Sequence, residues 1–362
     1  MGFKYSSGLD GLRGYAVLIV ILFHCNIIYW GWLGVQLFFT LSGFLITLSL
    51  FSSKTSPLKQ MLKVFYIKRG LRIFPLYFVF LLFILLLHFF YKPNAIANDW
   101  PYLISYTYNI YRSSESYIYS NLYSHLWSLS VEEQFYLVWP FLIFFLASKN
   151  YIKVMVGVLV AFALLKLFYS ALVEMNFFDQ EWVVRNLYFQ TFYQADAFVF
   201  GALAACLYTK KVVINTKLCI WMISAISVFA LLLEYFNTGS PFSALRLMSA
   251  PAMFDGRFLY GFGYTVAGLF AMLCILYTVT QSHSNLRRIL LENRFIVYTG
   301  KISYGLYIFH YPIIHLLEDA LQPAGSASLM LIYILCIFLS YLIAGLSYKY
   351  FESPLLALKA KY

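Results

Sequence analysis

The chain has 362 residues, of which 62% are apolar and 11% charged, with a formal net charge of +11. Soluble globular domains carry about 25% charged residues, so much of this surface meets something other than water, and a soluble globular protein is excluded. Apolar runs of about 20 residues recur along the chain, which also excludes a single anchor or a cleaved signal peptide as the only apolar element.

In chain order, the runs predict an all-α, polytopic bundle of about ten transmembrane helices at 13–29, 33–51, 72–91, 129–147, 152–173, 190–208, 218–236, 258–280, 302–318 and 327–349. Short amphipathic segments near 57–69 and 286–299 lie between spans. The longest connection, 92–128, is too short for a soluble domain, so residues 1–362 read as one transmembrane domain.

The basic excess reports orientation. With the N-terminus inside, outer segments hold five of the 26 Lys and Arg residues: Lys92, Arg112, Arg185, Arg246 and Arg257. Lys166 falls within a span and the other 20 lie on inner segments. The positive-inside rule then puts both termini in the cytoplasm. No nucleic-acid motif accompanies the charge, and no nucleic-acid partner is expected. Five cysteines (Cys25, Cys206, Cys219, Cys274, Cys336) fall in or beside spans. They show neither zinc-ligand spacing nor a disulfide framework, and no metal is expected.

Ionisable groups within spans are costly and mark function by default. In the first span, Asp10, Arg13 and His24 share one helix face, at spacings of 3 and 11 residues. Arg13 and His24 are separated by a rise of about 16 Å, which suggests one wall of a tunnel with a charge at its inner mouth and an imidazole in the outer half. The bland alternative is a snorkelling arginine and a core histidine. Arg69 and Arg72 form R-x-x-R at the inner edge of the third span. Guanidinium forks suit phosphate, but anionic lipid heads would attract them too.

Seven tyrosines (Tyr102, Tyr106, Tyr108, Tyr111, Tyr117, Tyr119, Tyr123) crowd the outer connection. They suit either a carbohydrate acceptor or an interfacial aromatic belt. Ser130, Glu132 and Glu133 open the fourth span, where adjacent carboxylates cannot both face one cavity. At most one is expected to line a cavity, with the other capping the helix N-terminus. Lys166 and Asp196 belong by depth to the outer half, as His24 does, and an opposite-charge pair there would ease both burial costs. Tyr304 and His310 in the ninth span are further candidates, for packing around the tunnel.

Several runs, taken together, carry a resemblance. They are Leu9-Asp10-Gly11-Leu12-Arg13-Gly14 with Phe23-His24, and Gly34-Val35-Gln36-Leu37-Phe38-Phe39-Thr40-Leu41-Ser42-Gly43. Next come Lys68-Arg69-Gly70-Leu71-Arg72-Ile73-Phe74-Pro75 and His125-Leu126-Trp127-Ser128-Leu129-Ser130-Val131-Glu132-Glu133-Gln134-Phe135-Tyr136. The last is Lys301-Ile302-Ser303-Tyr304-Gly305-Leu306-Tyr307-Ile308-Phe309-His310-Tyr311-Pro312. In this order they resemble the membrane acyltransferase-3 family. The resemblance implies transfer of an acyl group, usually acetyl, from cytoplasmic acetyl-coenzyme A to a hydroxyl of an extracytoplasmic glycan or lipid-linked glycan, such as O-antigen.

It also implies that Arg13 and His24 are essential, that Arg69 and Arg72 serve the donor, and that Glu132 or Glu133 is important. Gln194-Ala195-Asp196 departs at Gln194 from the family's R-x-D-x-x-x-x-G pattern. Many relatives carry an appended esterase-like domain. This chain ends at Tyr362, just after the tenth span, and is expected to lack one.

The expected mechanism docks the donor's phosphates on Arg69, Arg72 and Arg13, and delivers the thioester to His24 as general base or covalent acyl relay. Asp10 is too far from His24 to orient it and is expected to pair with Arg13. Glu132 or Glu133, taken to lie at the depth of His24, is the acidic partner. The expected setting is the bacterial cytoplasmic membrane, with membrane lipids as neighbours and oligomeric state open. A sugar or glycan transporter is the main rival, and a sensor or scaffold the second. No internal repeat of the kind transporters often show is visible.

Overall fold

The computed structural model describes residues 5–28, 30–90, 99–175, 184–212, 215–238, 259–281 and 284–361, among which there is no strand. Lys4, Lys92, Arg246 and Arg257 lie outside the described residues, as do 92–98 of the long connection and the side chains of Arg185 and Lys217.

In chain order the helices are α1 (Ser7–His24), α2 (Trp32–Ser53), α3 (Leu58–Phe90), α4 (Trp100–Ile104), α5 (Tyr108–Tyr111), α6 (Trp127–Phe145) and α7 (Tyr151–Glu174). There follow α8 (Thr191–Thr209), α9 (Thr216–Thr238), α10 (Leu259–Thr280), α11 (Asn285–Leu291), α12 (Arg294–Lys301), α13 (Ser303–Leu321) and α14 (Ser326–Ser347). Each predicted span is matched by a helix of at least 18 residues. Among the described residues, six helices are long and apolar enough to cross a membrane: Ser7–His24, Trp32–Ser53, Leu58–Phe90, Ser148–Leu172, Gly263–Thr280 and Ser326–Lys361. The protein is therefore a multi-pass, all-helical membrane protein.

Two predicted connections differ. The segment near 57–69 is no separate element. It is the first third of α3, whose 33 residues make it about 50 Å long, well beyond a hydrocarbon core of about 30 Å. The helix runs on through Gly70 and Pro75, although they cost about 1 and about 3 kcal/mol in a helix interior. The segment near 286–299 is two short helices, α11 and α12. The hydroxyl of Ser284 accepts from the backbone of Arg287 to cap the first.

The chain forms two compact units. The first comprises Met1–Ser52 and Val131–Gly300. Its centre is aromatic: Phe198 of α8 stacks on Phe39 of α2 at 4.6 Å and on Phe135 of α6 at 4.1 Å. The Trp139 indole donates to the Thr47 hydroxyl at 2.8 Å. Gly34 lies against Ala16 and Val20, and Gly31 against Ile19 and Phe23. These contacts set α1 and α2 side by side in opposite directions. At the other end of α1, a Cβ on Gly11 would sit 2.0 Å from the Leu291 carbonyl oxygen, and one on Gly300 would sit 1.8 Å from that of Asp10. Only glycine permits this approach, and it fixes the turn of α1 that carries Asp10 and Arg13.

The second unit comprises Ser53–Ser130 and Lys301–Tyr362. Helices α13 and α14 form an antiparallel hairpin whose first member ends on Gln322 in the left-handed region, φ 42°. The Tyr304 hydroxyl donates to the Ile73 carbonyl at 2.7 Å, tying α13 to α3. Residues 99–126 make a small cap on this unit. It is joined to α3 by the Tyr77 hydroxyl, which donates to the Leu103 carbonyl at 2.8 Å.

Candidate functional site

In the first unit, the start of α1 is a network of charge. The Tyr5 hydroxyl donates to Asp10 Oδ1 at 2.6 Å and receives Arg13 Nη1 at 2.6 Å. Arg13 Nη1 also lies 3.5 Å from Asp10 Oδ1, so Asp10 pairs with Arg13. Behind this triad, buried Arg287 gives Nη2 to Ser6 Oγ and to Glu292 Oε1, both at 2.7 Å, and the Ser7 hydroxyl donates to the same Glu292 oxygen. The first turn of α1 is thus anchored before its arginine is presented. Tyr5, Arg287 and Glu292 were not legible as partners, since they come from the preceding loop and from residues some 280 positions away.

His24 is the last residue of α1, half-buried, with its ring 5.4 Å from that of Phe23. The helix ends because Asn26 takes a left-handed conformation, φ 55°. The imidazole therefore stands where α1 stops and the chain turns toward α2.

Of the adjacent glutamates, Glu132 accepts from the hydroxyls of Ser42 on α2 and of Tyr136, one turn further along α6. This contact corrects the expected depth. From Gly34 the residues of α2 run alongside α1 away from His24 and toward Arg13. Ser42 lies eight residues beyond Gly34, about 12 Å by helix rise. Glu132 therefore stands away from the level of His24. Tyr136 stands four residues after Glu132, a spacing that could have flagged it. Ser42 had no such signal.

Lys166 and Asp196 form an ion pair of 2.6 Å, each side chain 1% exposed. The other Asp196 oxygen accepts the backbone N–H of Ala197, and the Thr265 hydroxyl adds a bond at 3.1 Å. Nζ also faces the rings of Tyr193 and Tyr264, at 4.8 and 5.3 Å. Gln194, which departs from the family pattern, is bonded to Gln36 and to the Tyr188 carbonyl. All of these are wall-to-wall contacts within the bundle.

In the second unit, Arg69 and Arg72 stand half-buried on α3. The Arg69 guanidinium is 5.9 Å from the centre of the Phe65 ring, and the charge of Arg72 acts on buried Glu352, which accepts the Ser347 hydroxyl at 3.1 Å. Tyr304 and His310 are structural at one end each: Tyr304 bonds Ile73, and His310 Nδ1 bonds the Leu306 carbonyl at 2.9 Å. Ser130 is fully buried, and its hydroxyl makes no hydrogen bond among the described residues.

The tyrosine-rich connection is mostly a core. Tyr106, Tyr108, Tyr111 and Tyr123 are buried. Tyr123 donates to Asp99 Oδ2 at 2.7 Å, and the Tyr108 and Tyr123 rings meet at 5.6 Å. Burial pushes the Asp99 carboxyl and the hydroxyls of Tyr108, Tyr111 and Tyr123 above their ordinary values. Of the seven, only Tyr102 and Tyr119 are exposed and Tyr117 partly so, so three of them are open to an acceptor or an interface.

A family described as an acyltransferase domain, acyltransferase-3, matches residues 6–349. O-acetyltransferase OatA of Staphylococcus aureus is 30% identical over 373 residues, covering 97% of this chain and 57% of the relative. Peptidoglycan O-acetyltransferase OatA of Listeria monocytogenes is 27% identical over 375 residues, covering 97% and 56%. The chain thus spans little more than half the length of these relatives. No solved structure matches it.

Proposed function

The chain belongs to the acyltransferase-3 family, and on that premise we propose that it transfers an acyl group, acetyl first among them, from acyl-coenzyme A to a hydroxyl of a cell-surface glycan. The family match across 6–349, containing Arg13, His24, Arg69 and Arg72, carries this reading. The name of the Listeria monocytogenes relative favours peptidoglycan over O-antigen as the acceptor.

The ten long helices are then ten spans of one transmembrane domain in the bacterial cytoplasmic membrane. The bias of basic residues supports cytoplasmic termini and a cytoplasmic donor. Arg69, Arg72 and Arg13 bind the donor's phosphates, since paired guanidinium forks match phosphate oxygens.

His24 acts on the thioester in one of two ways. As general base it takes the acceptor's proton while the acceptor oxygen bonds the acyl carbon and the C–S bond breaks; the departing thiolate then receives that proton. As relay, its nitrogen takes the acyl group first and releases the thiol, after which the hydroxyl displaces the imidazole. Glu132 acts apart from His24. Glu132 holds Ser42 and Tyr136 and so shapes the wall between α2 and α6.

The test is purified protein in detergent with acetyl-coenzyme A and a muropeptide acceptor, followed by mass spectrometry of both. His24→Ala should lower transfer by about 100-fold or more, with folding intact. Near wild-type transfer by that variant would sink the role of His24, and an unacylated acceptor with wild-type protein would sink the function. Covalent relay predicts ping-pong kinetics and thiol release without acceptor; a transporter turns over no thioester at all.

A further inference from the structure

A second imidazole, His125, is held in the second unit with more care than a packing residue needs. It sits in the turn Ser124–Leu126, just before α6, and is buried. Its Nε2 lies 3.2 Å from the Ile308 carbonyl oxygen on α13. A carbonyl only accepts, so Nε2 carries the hydrogen, and in the neutral ring Nδ1 is the basic nitrogen.

The backbone of the same residue is fixed from the same helix. The Tyr307 hydroxyl donates to the His125 carbonyl at 2.7 Å and receives the Ser128 hydroxyl at 2.5 Å. The ring packs at 4.8 Å from Tyr311, whose hydroxyl is bonded to that of Tyr119. Tyr119 is 57% exposed, so the cluster reaches the surface on the side of the tyrosine cap.

An imidazole whose N–H is spent on a fixed acceptor, leaving the opposite nitrogen basic, is the arrangement of a general base with its orienting partner. We propose that His125, through Nδ1, is the proton acceptor for the hydroxyl substrate, and that Tyr307 and Ser128 are its positioning residues. In the step, the hydroxyl's proton passes to Nδ1, its oxygen bonds the acyl carbon, and the bond from that carbon to the leaving group breaks. The leaving group then takes the proton back. The Ile308 carbonyl facing Nε2–H stabilises the imidazolium meanwhile. The proposal rests on the transferase reading above and takes the place of its general-base alternative, leaving His24 the relay.

Glutamine decides the matter, because its amide can donate to the Ile308 carbonyl as Nε2 does but offers no basic nitrogen. In the full chain, with acetyl-coenzyme A and a muropeptide, His125→Gln should cut the turnover number by about 100-fold or more. Its donor KM and melting temperature should stay near wild type. His125→Ala should lose both turnover and stability, and Tyr307→Phe should lower turnover more than it raises donor KM. A His125→Gln variant as active as wild type makes His125 a clamp only and overturns the proposal alone. A wild-type protein that acylates nothing overturns the transferase reading and the proposal with it. Should His125→Gln fail to fold, nitrogen NMR of histidine-labelled wild-type protein decides: a hydrogen on Nδ1 rather than Nε2 overturns the assignment.

Discussion

Lys166 Nζ and Asp196 Oδ2 meet at 2.6 Å with both side chains 1% exposed, on α7 and α8. Neither charge has water to return to, so each exists because of the other. Removing one partner of such a pair costs about 3–5 kcal/mol, whereas replacing both is often neutral. Lys166→Met alone and Asp196→Asn alone should each lower the melting temperature in detergent sharply. The double variant should recover most of it and keep transfer near wild type. A double variant that melts normally but is inactive would move the pair from structure to chemistry.

Glu132 and Glu133 should part company. Glu132 receives two hydroxyls, from Ser42 and Tyr136, and a hydrogen bond to a charged group contributes about 1.5–3 kcal/mol. Glu132→Gln should therefore lower transfer at least tenfold, an order-of-magnitude figure from the same energies. Glu133→Gln should cost little, and Ser42→Ala and Tyr136→Phe should reproduce part of the Glu132 effect. Initial rates on the four variants test this, and equal losses at both glutamates would refute it.

Tyr5 bridges Asp10 and Arg13 through one hydroxyl. Its removal leaves the 3.5 Å ion pair but loosens the guanidinium. Tyr5→Phe should raise the apparent donor KM by a few-fold, up to about tenfold from the energy of one charged hydrogen bond. The turnover number should change little. A loss confined to turnover would detach the triad from donor binding.

The cap has a pH signature. Burial lifts the Asp99 carboxyl above its ordinary value of 3.8, against the opposing hydrogen bonds from Tyr123 and Tyr111. The folded cap holds that proton more tightly than the unfolded chain does. The stability contribution is therefore full below 3.8 and is lost as pH rises through the folded value. Protection of residues 99–126 in hydrogen exchange, corrected for intrinsic rates, should rise as pH falls toward 3.8, the ordinary carboxyl value. Asp99→Asn should flatten that dependence; an unchanged slope would place the titrating group elsewhere.

Much of this was legible in the sequence because the bilayer enforces it. A span needs about 20 apolar residues whatever it packs against, so Trp32–Ser53 and Tyr151–Glu174 stand within a few residues of where the apolar runs end. The spacing of Asp10 and Arg13 is local helix geometry, and their pairing followed from it. The opposite charges of Lys166 and Asp196 invited a pair, because burial leaves an intramembrane charge few other options.

Other features depend on contacts that no spacing encodes. The partner of Glu132 is Ser42, 90 residues away, and it took the side-by-side register of α1 and α2 to separate that carboxylate from the level of His24. The tyrosines of the cap look alike in sequence, yet Tyr108 is fully buried and Tyr119 is exposed. The tautomer of His125 hangs on one carbonyl 183 residues away. Membrane insertion is written in composition, which each residue contributes locally. Which nitrogen is basic and which carboxylate is held are set by distances between distant segments, and only the tertiary structure supplies those.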